Sequence, residues 1–262
     1  MVKVLAIANQ KGGVGKSTLC IQTAFYLTLK LNKRVLCIDM DGQGNTSSRL
    51  APKEISEGGK STPFFSGTKT SDLFSVDIDE ITVTSCPSGV DLIHATKNDN
   101  ALSDMEAVPL MHALNPARHL KEFIKNYDYV LIDCPPSKGR SLIAALALTT
   151  HVVCPIKLSG FAIDGVEGLL ETIISIKRRF NQNLNVLGLL VNDMDRSVNH
   201  QQSYDLLKQD AGHLLFENKI MHRSPLDRAT TLGIPIWELP YGHVAAKEVE
   251  TVIKEIIAKA NK

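Results

Sequence analysis

The sequence predicts an α/β fold: one domain over residues 1–262, with a mostly parallel twisted sheet flanked by helices. Three observations predict it. Short β-branched runs alternate with longer helical patterns. The strand-like runs are apolar at nearly every position, as expected of strands covered on both faces. The first of them leads directly into a glycine-rich stretch, NQKGGVGKST, at residues 9–18.

In chain order, KVLAIA at 3–8 is the first strand, and the segment 17–30 after the glycines has helical spacing. RVLCI at 34–38 and VDLI at 90–93 are the next strands. Between them, residues 51–70 (APKEISEGGKSTPFFSGTKT) are rich in Gly, Ser, Thr, Lys and Pro and read as an irregular exposed loop. Helical spacing recurs at 116–125. YVLI at 129–132 and HVVCP at 151–155 bracket the helix RSLIAALAL at 140–148. Helical patterns at 164–180, 201–208 and 244–259 alternate with the strand VLGLLV at 186–191. In such sheets ligands bind beyond the carboxyl ends of the strands. The chemistry is therefore expected after Ala8, Ile38, Ile132 and Val191.

Composition narrows the function. The 262 residues are 44% hydrophobic with a formal net charge of +1, so any nucleic-acid site has to be a local patch. The five cysteines are odd in number, show no CxxC pairing and mostly sit in apolar runs, which suits small buried hydrophobes in a reducing cytoplasm. The apolar run of the N-terminus is too short for a signal-peptide core. The longest apolar stretch, 142–148, is far below the roughly 20 residues of a membrane span.

The glycine loop carries the chemistry. Gly12, Gly13, Val14 and Gly15 between a strand and a helix N-terminus offer backbone N–H groups to phosphates. Lys16 adds a positive charge, Ser17 places a hydroxyl on Mg²⁺, and Thr18 completes the loop. The common pattern GxxxxGK[ST] demands glycine at position 10, where this chain has Gln10, so a variant is satisfied instead. Asp133 follows VLI in a buried strand, and a buried carboxylate needs partners; Mg²⁺ with its waters supplies them. Pro135 and Pro136 stiffen the turn that follows.

KGGVGKST resembles the deviant Walker A motif of the family that includes ParA, MinD and the nitrogenase iron protein. VLCIDMDGQGN at 35–45 is similar to the family's DxDPQGN segment, with Gly42 in place of the usual proline. LIDCPP at 131–136 resembles its Walker B and second switch, and IMHRSPLDRATTLGIP at 220–235 resembles a late ParA segment. The similarity covers about residues 1–257 and is closest to ParA. It implies a Mg²⁺-dependent ATPase in which two subunits sandwich two ATP molecules. Lys11 matches the signature lysine that reaches the partner's phosphates, where a cation delivered in trans stabilises the transition state as an arginine finger does. By the same resemblance Asp41 orients the attacking water, Asp39 supports Mg²⁺ and the first switch, and Asn192 holds adenine.

The resemblance further implies a homodimer with ATP, non-specific DNA binding on the nucleoid and stimulation by a ParB-type centromere-binding partner. Candidate DNA contacts are Lys177, Arg178 and Arg179 late in one helix, with His222, Arg223 and Arg228 in the ParA-like segment. Pro225 stands at a usual arginine position, and YGHVAA at 241–246 replaces a stretch often basic in relatives. The loop begins at residue 11, so no helix-turn-helix domain is expected before it. A MinD-like alternative needs an amphipathic C-terminal helix for a membrane. Val249, Val252, Ile253, Ile256 and Ile257 have helical spacing, but the tail lacks aromatics and its charges are mixed, so packing on the sheet is expected. A redox role like that of the iron protein needs a cysteine soon after Walker B, and 137–150 contains none. The cargo stays open: plasmid, chromosome and protein assemblies are all moved by this family.

Overall fold

A computed structural model describes residues 2–55, 59–97, 100–158 and 162–262. In chain order its elements are β1 (Lys3–Ile7), α1 (Lys16–Phe25, extended by a wider turn over Tyr26–Lys30), β2 (Val35–Asp39) and α2 (Asn45–Leu50). A small hairpin of β3 (Lys53–Ile55) and β4 (Ser61–Pro63) follows, then β5 (Thr84–Ser85), β6 (Asp91–Ile93) and α3 (Asn100–Asp104). The second half holds α4 (Asn115–Phe123), β7 (Tyr129–Asp133), α5 (Arg140–Leu148), β8 (His151–Ile156), α6 (Ala162–Arg179) and β9 (Asn185–Val191). It closes with α7 (Val198–Ala211), α8 (Ser224–Leu232) and α9 (His243–Ala260).

Among the described residues seven strands form one sheet in the order β5-β6-β2-β7-β1-β8-β9, parallel except where β5 meets β6. Successive strand residues face opposite sides, and the core divides accordingly. Val4 and Ala6 of β1 pack with α4, α5 and α6 through Leu120, Leu142 and Leu169. Leu5 and Ile7 pack on the other face with α1, α8 and α9 through Leu19, Leu226 and Val252. Both faces are covered, which is why the strands are continuously apolar. Val249, Val252, Ile253 and Ile256 of α9 are fully buried there. The apolar stripe a membrane would need is spent on the sheet. Among the described residues, no helix is long and apolar enough to cross a membrane.

Residues 51–70 depart from the expected irregular loop, because Lys53–Ile55 pairs antiparallel with Ser61–Pro63. The hairpin is exposed at every residue of both strands, so nothing apolar in its pattern announced it. All five cysteines are buried and unpaired.

Register sets the site. Ile7 of β1 and Asp39 of β2 both lie opposite Asp133 of β7, so three parallel strands end level with one another. The glycine loop and both buried aspartates leave the sheet at that edge.

Candidate active site

The loop from Ala8 to Gly15 joins β1 to α1, whose first residue is Lys16. Gly15 has φ 89°, and a Cβ there would meet Asn192 Nδ2 at 2.2 Å, so the turn needs glycine for its conformation and for its close neighbour. Asn192 follows β9 and donates Nδ2 to the Val14 carbonyl at 2.8 Å. Nearer β1, Asn9 donates Nδ2 to Pro155 O at 2.7 Å and accepts the Lys11 N–H at 2.8 Å. The ends of β8 and β9, successive strands on one side of β1, thus hold the loop at two points. A preorganised cradle for phosphates results.

Lys16 is buried, and its ammonium donates to the Lys11 carbonyl at 3.1 Å. Burial lowers its pKa, while the nearby Asp133, Cys134 and Asp41 oppose that shift. Lys11, by contrast, is exposed and does not line the cavity of its own chain. That cavity, of about 410 Å³, is walled by Gly12 to Thr18 on one side, apart from Val14, and by Asn192, Met221 and Arg223 on the other. Asp41 also lines it.

Asp133 is fully buried at the end of β7. Thr46 of α2 donates its hydroxyl to Oδ2 at 2.7 Å, whereas the buried Oδ1 has no hydrogen-bond partner. Burial pushes the Asp133 pKa up to about 6, against the opposing pull of the Ser17 and Thr46 hydroxyls. An orphaned buried carboxylate oxygen beside the Ser17 hydroxyl fits a divalent cation with its waters. Among the described residues no group of three or more His, Cys, Asp or Glu side chains could hold a metal. Mg²⁺ characteristically takes one or two protein groups and completes its shell with substrate phosphates and water, so Ser17 and Asp133 are sufficient. Ser17 and Asp133 would hold Mg²⁺ there, and the ion would supply positive charge to bound phosphates.

Asp39 corrects an expectation. Its Oδ1 accepts the Asp41 N–H at 3.1 Å, and Oδ2 accepts both the N–H and the hydroxyl of Ser47 at 2.8 Å. Burial and the neighbouring Asp133 push its pKa well above the usual carboxylate range. Its oxygens are directed into the turn 40–47, and Asp39 does not line the cavity. Asp41 is half-buried, and its carboxylate accepts the Gln43 N–H at 3.0 Å outside that inner network. Side-chain bonds from Asp39 and Asp41 hold the turn around Gly42.

Arg223 also differs from its expected place. It forms a two-pronged pair with Glu248 of α9, Nε to Oε2 at 2.9 Å and Nη2 to Oε1 at 2.6 Å, in the cavity wall. A charge so engaged is poorly placed to contact DNA. Arg178, Arg179 and Arg228 are exposed, and His222 bonds Asp193, which raises its pKa. One further residue had no sequence signal. Glu106 accepts the N–H groups of Arg140 and Ser141, the latter at 3.2 Å, and so caps α5 just after Pro135 and Pro136. A Cβ at Gly139 would meet its Oε2 at 1.8 Å.

Strand, glycine loop, buried lysine and an aspartate short of one partner define a P-loop ATPase. Residues 2–186 match the AAA domain family. The chain is 32% identical over 262 residues to the chromosome-partitioning ATPase Soj of Thermus thermophilus, covering 98% of this chain and 96% of that one. It is 28% identical over 244 residues to the chromosome partitioning protein ParA of Myxococcus xanthus, covering 89% and 80%. The McdA–ATP complex from Cyanothece shares the fold with a TM-score of 0.79 at 23% identity, covering 97% of this chain and 96% of that one. Cobyrinic acid a,c-diamide synthase from Mycobacterium smegmatis, with ADP and magnesium, superposes with a TM-score of 0.70 at 26% identity over 91% and 92%. The chain belongs to the ParA family of P-loop ATPases, and its cofactors are ATP and Mg²⁺.

Proposed function

We propose that this ATPase is a partition motor protein in which residues 1–262 form one domain and whose ATP-bound form pairs face to face across the nucleotide. In this reading the dimer binds DNA without sequence preference on the nucleoid, and a ParB-type partner stimulates hydrolysis and release. One observation carries it. Two lysines five residues apart in one loop face different ways: Lys16 is buried in the cavity wall, and Lys11 is exposed outside it. A lysine exposed beside the phosphate loop and outside its own cavity fits a cation delivered to a second copy's phosphates.

The roles follow. Backbone N–H groups of residues 12–18 and the Lys16 ammonium hold the phosphates, and Asn192 holds the loop and the adenine side of the cavity. Asp41 orients the attacking water, and Lys11 from the second copy stabilises charge on the transferred phosphoryl group. DNA contacts fall to the exposed Arg178, Arg179 and Arg228, because a net charge of +1 leaves only local patches to bind phosphate.

Lys11→Ala tests the reading. The variant is expected to bind ATP, to remain monomeric on size-exclusion chromatography, and to lose turnover by roughly 10³–10⁵, the scale of a removed arginine finger. Normal pairing and normal turnover in Lys11→Ala would refute it.

A further inference from the structure

Gln10 stands where the common phosphate loop has glycine, and it does not line the cavity. Its side chain bonds α6 instead. Nε2 donates to the Thr172 hydroxyl at 2.9 Å and to the Gly168 carbonyl at 3.3 Å. The Thr172 hydroxyl donates to the same carbonyl at 2.8 Å, so the three groups close a small polar ring on one turn of the helix. Both amide hydrogens of Gln10 are used, and no phosphate-binding duty accounts for them.

The consequence falls on the next residue. Lys11 is followed by Gly12 and Gly13, which have no side chains to hold them. Its N–H is fixed by Asn9, and its carbonyl is held by the Lys16 ammonium. The backbone before Lys11 is anchored by the side chains of Asn9 and Gln10. A glycine at position 10 would leave Lys11 at the head of a flexible run, and its ammonium would lose orientational definition.

We propose that Gln10 is a positioning residue, which locks the backbone before Lys11 to α6 so that the lysine is presented to a second copy. The inference rests on the reading that Lys11 acts in trans. It accounts for a departure from the common motif that the phosphate site itself does not require.

The test uses the full chain with Gln10→Gly, which restores the common pattern, beside Lys11→Ala, Thr172→Val, Thr172→Ser and the double variant Gln10→Gly/Lys11→Ala. Measurements are ATP affinity, ATP-dependent dimerisation, kcat and KM. Gln10→Gly is expected to keep ATP affinity within about twofold and to lower kcat about tenfold, the scale of one to two net hydrogen bonds. Thr172→Val should move the same way by less, with Thr172→Ser restoring the wild-type value. The double variant should fall no further than Lys11→Ala, because the two residues act as one unit. Wild-type turnover in Gln10→Gly, with Lys11→Ala impaired, overturns this inference alone. A silent Lys11→Ala overturns the trans-lysine reading and this inference with it. Loss of ATP affinity in Gln10→Gly that accounts for its lost turnover would make Gln10 a support of the phosphate loop, and overturns the proposal as well.

Discussion

Replacing Asp133 with Asn should strengthen the fold while destroying the site. The carboxylate is fully buried, one oxygen has no partner, and Asp39 lies level with it on the neighbouring strand. A buried polar group left unsatisfied costs about 1–3 kcal/mol. The gap between a pKa of about 6 and an ordinary 3.8 corresponds to about 3 kcal/mol. These are two views of one burial cost and do not add. Asn at this position can still accept from Thr46 while removing the charge. Without nucleotide or Mg²⁺, Asp133→Asn should therefore gain about 1–3 kcal/mol, or roughly 2–10 °C in melting temperature for a domain of this size.

With Mg-ATP the order should reverse. Wild type gains about 2.7 kcal/mol at a ligand concentration 100 times Kd, and a variant that binds weakly gains little. The pH dependence has a definite sign. The folded pKa lies above the unfolded one, so the cost is fully present above about pH 6 and is relieved as pH falls towards 4. The advantage of Asp133→Asn should shrink over that window. Differential scanning calorimetry at pH 8 and pH 5, with and without Mg-ATP, measures all of this. An Asp133→Asn protein that melts below wild type at pH 8 without ligand would refute the reasoning.

Lys16→Ala should lose ATP affinity in isothermal titration while its melting temperature stays near wild type; unchanged affinity would overturn the P-loop assignment. Asp41→Ala should keep ATP and persist as a dimer on size-exclusion chromatography, because phosphate contacts remain and the water is no longer oriented; rapid turnover would count against its role. For DNA, alanine at Arg178, Arg179 or Arg228 should flatten the slope of log affinity against log salt by about 0.9 per lost phosphate contact, for every sequence alike. Arg223→Ala should leave that slope unchanged, and DNA affinity equal with ADP and ATP would overturn the ATP-switched clamp.

The central strands are legible in the sequence because a short run apolar at every position marks a strand covered on both faces. The helix at 140–148 matches α5 at both ends. Three helices, α2, α3 and α8, are not among the expected elements, and α2 and α8 escape for different reasons. NTSSRL in α2 has weak helix formers, and its order comes from Asp39 holding Ser47 and from Thr46 reaching Asp133 across 87 residues. No local pattern reports such bonds. SPLDRATTL in α8 does carry a signal, with Pro225 in the first turn and Gly233 in a left-handed cap at φ 69°. Its likeness to a ParA segment points to function and is silent about the helix inside it. Glu106 caps α5 from 34 residues away, beyond the reach of any spacing rule.

The charged residues show where sequence reading of a site stops. Lys11, Lys16 and Arg223 are equivalent in any count of positive charge. Their surroundings separate them: one is exposed, one is buried against its own loop, and one is paired to a glutamate in the cavity wall. Motif spacing finds the first two because a phosphate loop is local, with its donors supplied by consecutive residues. Arg223 depends on Glu248, 25 positions later on a different helix, and its likeness to a DNA-contacting segment gives no hint of that partner. A cation already bonded at both prongs has to break that pair before it can meet a phosphate, leaving a half-buried carboxylate behind. Exposed arginines have no such barrier. The patch that meets DNA should therefore be sought on α6 and at Arg228, with Arg223 assigned to the architecture of the nucleotide cavity.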